Sequence, residues 1–361
     1  MKFLFNLLTP IVILLMVIFS LLLLKERKTF DIRTLVQINP IPHTQELITQ
    51  EKYVDADEYL SFFMQHDYVK NDPKAQELSN LIQEKRSNYS YKTDKFIEGI
   101  VQGKSDEDIG RISAIASDFL VIGDIRDLSI QGKNYFNHEE VDNTMVALSS
   151  LGLLATATTV YSLGATSPIK SSLSVLKYGK RINKIPSWLN QTIIREAKVA
   201  SETKSLTKVN TLLTPVEKLY NNVGLNQTLN LLKQTKNAKE LQGLVKFSTR
   251  FGKQSPMLLQ TTQQTALTYA KAMPNVSSKN FIYASTYGER GLKGLSKMGE
   301  SKFMQRVGFR ANLIKTAYKG NFNSLITALL KYLPSSVLFG MAFLGLFYFI
   351  RKFFVLTKKL F

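Results

Sequence analysis

Cysteine is absent from all 361 residues. Disulfides, thiolate metal sites and thiol nucleophiles are therefore excluded. Histidine is nearly absent: His43, His66 and His138 lie far apart, without HExxH or paired spacing, and a histidine-based metal site is not expected. Glycine loops that cradle phosphate are also missing. Gly291 and Gly294 lack the GxxxxGK[ST] or GxGxxG spacing, and no strand precedes them. The basic half of the chain has no histidine to activate a serine or threonine. Glu289 and Glu300, 11 positions apart, make no recognisable acid/base pair. The expected catalytic, cofactor-binding and metal-binding residues are accordingly none, and the chain is read as not an enzyme. No stretch alternates apolar and polar residues between hairpin turns, so the expected fold class is all-α.

Two apolar runs are present. Leu4 to Leu24 gives 21 residues without a charge, about the ~20 that cross ~30 Å of hydrocarbon. This run leads directly into Lys25, Glu26, Arg27 and Lys28 rather than into a small-residue cleavage site, so it reads as a retained anchor rather than a removed signal. Tyr332 to Ile350 gives 19 uncharged residues, with Pro334 suited to a first helical turn. Hydrophobic content of 44% is ordinary and excludes a polytopic transporter. The expected class is a membrane-anchored helical protein with N- and C-terminal transmembrane helices and a possible central third span. That third candidate, Asn143 to Ile169, has 27 uncharged residues rich in Ser, Thr, Ala and Gly. Such composition favours close helix packing. A core helical hairpin and an inserted span both fit it.

Charge is unevenly placed. The net charge is +19. Between Lys25 and Thr144, 22 acidic residues face 15 basic ones; between Ser167 and Ser335, 27 basic face 6 acidic. Five regions follow: an anchor at 1–24, an acidic helical region with an αα-hairpin at 25–104, an apolar hairpin or third span at 105–169, a basic helical region at 170–331, and an anchor with a basic tail at 332–361. The hairpin is read from Asp55–His66, a turn ending at Pro73, and the stripe Ala75, Leu78, Leu81 and Ile82. Ser105 to Asp108 has the form of a capping box. Short helices are expected beyond Pro168, including Pro215–Asn222 and one helix over Leu229–Phe251, with breakers such as Gly224 and Gly299.

Two groups of residues invite a functional reading. Asp118, Asp124, Arg126 and Asp127 form a candidate polar network at the membrane edge, where an ionisable group is costly unless paired. Lys170, Lys177, Lys180, Arg181 and Lys184, with the tail bases Arg351, Lys352, Lys358 and Lys359, are candidate contacts to anionic lipid. Acidic residues Glu139, Glu140 and Asp142 fit the first turn of the apolar segment. Nucleic acid is an unfavoured partner, since charge alone permits it and no recognition motif supports it. No small-molecule substrate or cofactor is evident. A lipid bilayer and a protein partner, or a second copy of the chain, are the expected partners.

The segment from Ile109 to Lys180 resembles uncharacterised helical bacterial membrane proteins. The likeness rests on IGDIRDL at Ile122–Leu128, NYFNHEEVD at Asn134–Asp142, LSSLGLLATATT at Leu148–Thr159 and VLKYGKR at Val175–Arg181. It is also similar to membrane-associated segments that precede toxin domains. The resemblance implies membrane association and no activity. The expected protein is thus a scaffold or envelope-associated interaction protein of the bacterial inner membrane. A membrane-active toxin inserting its central segment and a membrane-tethered nucleic-acid binder are the alternatives. The switch from acidic to basic sequence at the central segment leans towards a third span, and the bases beside it then favour a cytoplasmic N-terminus and basic half, an external acidic half and a tail at the outer interface.

Overall fold

A computed structural model describes residues 2–88, 121–162, 167–307 and 322–357. Among them there is no strand, and the architecture is all-α. The Ser105–Asp108 motif and Asp118 lie outside the described residues.

Helix α1 (Lys2–Thr29) continues through Pro10. Then come α2 (Ile41–Thr49), α3 (Tyr53–Met64), the single turn α4 (Asp67–Lys70) and α5 (Pro73–Ser87). Pro73 opens α5 because its missing N–H needs no partner there, and the Asp72 side chain caps Lys74 N at 2.8 Å. The αα-hairpin of the acidic region is present: Leu60, Phe62 and Phe63 of α3 are buried, as are Ala75, Leu78 and Ile82 of α5.

The next helices are α6 (Val121–Phe136), α7 (Asn143–Ser162), α8 (Ser167–Arg181), α9 (Ser187–Thr203), α10 (Thr207–Val223), α11 (Leu225–Lys233) and α12 (Ala238–Phe251). Two boundaries differ from those expected. Helix α10 begins at Thr207 and takes Pro215 into its interior. The buried stripe Val209, Leu213, Val216, Leu219 and Val223 runs past the missing rung and holds the helix together. The stretch over Leu229–Phe251 is broken at Asn237, whose side chain accepts from Glu240 N at 2.9 Å. That is a competing N-cap strong enough to start a new helix. Gly224, at φ +79°, makes the break between α10 and α11.

The remaining helices are α13 (Ser255–Thr261), α14 (Ala266–Ala272), α15 (Ser278–Ser285), α16 (Gly288–Met298), α17 (Glu300–Val307), α18 (Phe322–Tyr332) and α19 (Ser335–Thr357). The chain forms two compact units. One is Asn39–Gln260; the other joins Met1–Ile38 to Thr261–Phe361. Packing therefore ignores the charge boundary, because acidic α2–α6 and basic α8–α12 share one unit.

Within Asn39–Gln260, α7 is the central helix and touches α6, α8 and α9. From Thr144 to Thr156 none of its side chains is exposed. Leu148 and Ala155 are fully enclosed. Over Thr144–Thr156 this segment packs as a core helix of the bundle, one of the two readings that its composition left open. Its Ser, Ala and Gly residues let three neighbouring helices approach closely.

In the other unit, α1 over Leu8–Thr29 and α19 over Ser335–Val355 are long and apolar enough to cross a membrane, by length and composition. They pack against each other in antiparallel fashion. Arg27 reaches Ser335 at one end, and a Cβ at Gly345 would lie 2.5 Å from Val17 further along. Only 22% of the α1 window and 11% of the α19 window is buried. Core helices of α7's kind show the reverse. Leu15, Leu21, Phe343, Leu344 and Phe347 are among the large apolar side chains left exposed. At the foot of the pair, Leu23, Ile32, Leu330 and Leu338 form a buried cluster.

Candidate functional site

The most unusual chemistry in the described residues is a buried ionic cluster. Asp124 and Asp127, three positions apart, share one face of α6. Lys177 of α8 is 1% exposed, and its ammonium lies 2.6 Å from Asp124 Oδ1 and 3.0 Å from Asp127 Oδ2. Arg181, one turn further along α8, sits 3.1 Å from Asp127 Oδ2. Arg126 Nη2 is 2.9 Å from Asp127 Oδ1. At the edge of the cluster Lys180 pairs with Asp142 at 3.2 Å.

Helix α7 makes this geometry possible. Gly152 faces α6, and any side chain there would occupy the space of the Asp124 carboxylate. The absent Cβ lets a charged group enter an otherwise apolar interface. Asp142 also caps α7, accepting from Thr144 N at 3.0 Å and Met145 N at 3.1 Å. Its two roles link the start of α7 to α8.

Of the expected network, Asp124, Arg126 and Asp127 are brought together. They lie together inside a helical bundle, beside α7. Four of the bases expected to meet lipid are held by internal partners. Lys177, Lys180 and Arg181 pair with the aspartates above, and Lys184 donates to Asn230 Oδ1 at 2.7 Å. Buried Lys177 is not available to a lipid surface. Lys170 is part-exposed, Arg351 is exposed, and the Lys352 ammonium lies 5.8 Å from the Tyr348 ring centroid. Lys358 and Lys359 lie outside the described residues.

A second polar centre was not expected from the sequence. Arg27, near the end of α1, is 7% exposed. Its guanidinium donates to Leu329 O at 2.9 Å, Leu330 O at 2.8 Å and Leu333 O, and to Ser335 Oγ at 3.0 Å. It thereby satisfies carbonyls at the C-terminal end of α18 and fastens the α18–α19 corner to α1. The only sequence signal was an arginine within a turn of an apolar run, which also describes an ordinary flanking base. Among the described residues no group of three His, Cys, Asp or Glu side chains is placed to hold a metal ion.

Burial alone would raise the Asp127 pKa. Lys177, Arg181 and Arg126 outweigh it and hold the carboxyl below its ordinary value. A carboxylate with a depressed folded pKa adds stability above its unfolded pKa of about 3.9, which is lost as pH falls through the folded value. His66 acts in the same direction at higher pH. Burial lowers its pKa despite the opposing charge of Asp67, so protonation below about 6.5 favours the unfolded chain. Thermal unfolding of the Asn39–Gln260 unit, followed by circular dichroism, is therefore expected to weaken first as pH falls below about 6.5 and again below about 4. A midpoint flat from pH 7 to pH 3 would contradict both assignments.

Comparison of the chain with protein-family models, with curated proteins and with solved structures finds no match.

Proposed function

We propose that this chain is an integral membrane protein that acts as a non-enzymatic scaffold, anchored by the α1–α19 pair and presenting the helical Asn39–Gln260 unit to a protein partner or a second copy of itself. The observation that carries the membrane reading is the low burial of both apolar helices beside their mutual contact. Exposed rows of Leu, Ile and Phe of this length are costly in water and favoured in lipid. The sequence resemblance to bacterial membrane proteins supports membrane association, and the inner membrane is the location proposed.

The antiparallel pairing also bears on topology. If α1 and α19 both cross, the Lys2 end of one and the Thr357 end of the other lie on the same face. The intervening chain would then cross an even number of times, which favours two spans over the three-span orientation expected from charge. The nearest bases divide evenly, with Lys2, Arg351, Lys352, Lys358 and Lys359 at one end and Lys25, Arg27, Lys28, Arg33 and Lys331 at the other. The positive-inside bias therefore does not choose the face.

An interaction role is supported by α6. Its acidic residues turn inwards to Lys177, while Ile125, Ile130, Tyr135 and Phe136 are exposed. Insertion of α7 into a target bilayer, as a toxin would require, would mean dismantling the Asp124–Lys177 cluster. Nucleic-acid binding is weakened because several of the bases nearest α7 are already paired.

The test uses the absence of cysteine. Single substitutions Ser87→Cys, Ser201→Cys and Thr357→Cys are probed with a membrane-impermeant thiol reagent in intact cells and after permeabilisation. Ser87 and Ser201 should behave alike, and Thr357 should behave oppositely. The protein should stay in the pellet after carbonate extraction. Opposite labelling of Ser87 and Ser201 would restore three spans, and release by carbonate would sink the membrane reading.

A further inference from the structure

The foot of α1 borders a cleft of about 410 Å³ whose lining is part apolar and part charged. Its apolar part is made by Phe19, Leu22 and Leu23 of α1 and Ile326 of α18. Its polar part has Lys25 and Glu26 of α1, Lys297 at the end of α16 and Lys302 in the first turn of α17. All of these residues belong to one compact unit.

The charge balance of the polar part is decided by Arg306. Its guanidinium lies 3.1 Å from Glu26 Oε1, so the one carboxylate among the described lining residues is already neutralised. Lys25, Lys297 and Lys302 are exposed and in no ion pair within the described residues. Three ammonium groups without a carboxylate partner among the described residues therefore share one cleft with the apolar side chains of Phe19, Leu22, Leu23 and Ile326. The transition falls where the uncharged run of α1 ends at Lys25, the position at which a spanning helix leaves hydrocarbon for headgroups. A soluble anion would be served by the bases but not by Phe19 and Leu22. A neutral lipid would be served by the apolar side chains but would leave three like charges of the same cleft uncompensated.

We propose that this cleft is a binding site for one anionic phospholipid, with its phosphate on Lys25, Lys297 and Lys302 and an acyl chain along Phe19, Leu22 and Ile326. The assignment rests on the membrane reading above and names residues other than the bases of α8 and the tail. The bound lipid would join α1, α16, α17 and α18 at the point where the membrane pair meets the rest of its unit. It would therefore act as a structural ligand of the anchor.

The experiment uses full-length protein in detergent, titrated with phosphatidylglycerol or phosphatidylcholine of the same chain length and read by native mass spectrometry. The wild type should retain phosphatidylglycerol in preference to phosphatidylcholine. The variant K25Q/K297Q/K302Q should lose affinity for phosphatidylglycerol by about 100-fold, the factor expected from three bases at a membrane surface. R351Q/K352Q, which removes charge from the exposed end of α19, should change it less than about three-fold. An excess of inorganic phosphate should not displace the lipid. Equal retention by wild type and triple variant, or equal retention of the two lipids, overturns the proposal. Displacement by phosphate reassigns the site to a soluble anion and overturns it too. A triple variant that stays in the membrane after carbonate extraction but loses selectivity supports the site. Failure of selectivity in a wild type that also stays in the pellet refutes the site alone, whereas wild-type release by carbonate refutes the membrane reading.

Discussion

Replacing Lys177 with methionine should destabilise the Asn39–Gln260 unit by about 3–5 kcal/mol, the cost of breaking a buried ion pair by removing one partner. The side chain is 1% exposed and bridges two carboxylates, so its loss leaves Asp124 without the ammonium 2.6 Å away and Asp127 with only its arginines. For a unit of this size the thermal midpoint should fall by about 10 °C. The double variant D124L/K177M should recover much of that loss, because an apolar pair of similar volume avoids the desolvation of both charges. Gly152 makes the double variant informative. The leucine must fit where the carboxylate lay against α7, so recovery measures the ionic cost separately from the packing cost. Urea unfolding of the detergent-solubilised full chain reads both variants. A K177M unfolding free energy within about 0.5 kcal/mol of wild type would show that the cluster is open to water.

The other large effect is expected at Arg27. Substitution by leucine keeps α1 apolar but removes the guanidinium from the carbonyls of Leu330 and Leu333 and from Ser335, while the Leu329 carbonyl keeps only Leu333 N at 3.2 Å. At about 1–3 kcal/mol for each buried group left unsatisfied, a loss of about 3 kcal/mol from the anchor-containing unit follows after partial rescue by water. R27K should fall between R27L and wild type. It keeps the charge and three donors, but an ammonium cannot span four acceptors as a planar guanidinium does. The expected readout is protease cleavage at the α18–α19 corner, rising in the order wild type, R27K, R27L. If R27L resists cleavage as wild type does, α18 ends without help from α1. The two experiments are independent, since Lys177 and Arg27 belong to different compact units.

Much of the secondary structure was legible because its causes are local. Pro73 begins α5 and Asp72 caps it through contacts within three residues. The stripe Ala75, Leu78 and Ile82 needs only helical periodicity to predict a buried face. The two long apolar runs declare themselves by length and by the charges that bound them. Errors came where a local signal met a stronger one nearby. Pro215 by itself signals a helix start, although the apolar stripe on both sides continues the helix through it.

The destination of charged and small residues was not legible, because it depends on what lies opposite. A lysine three or four residues from other bases on a helix looks the same whether it faces lipid, water or an aspartate 53 positions earlier in the chain. Asp124 and Lys177 meet only because Gly152 on a third helix leaves room between α6 and α8. Helix α7 shows the same limit in apolar terms. Its composition fits hydrocarbon and fits the interior of a helical bundle equally well, since both surround it with methyl and methylene groups. The sequence by itself thus determined that the chain is helical and bears two long apolar segments. The tertiary structure alone decided that those two segments pair in antiparallel fashion and that the third is core. Length and hydropathy are properties of one segment, whereas pairing and burial belong to the neighbours it acquires.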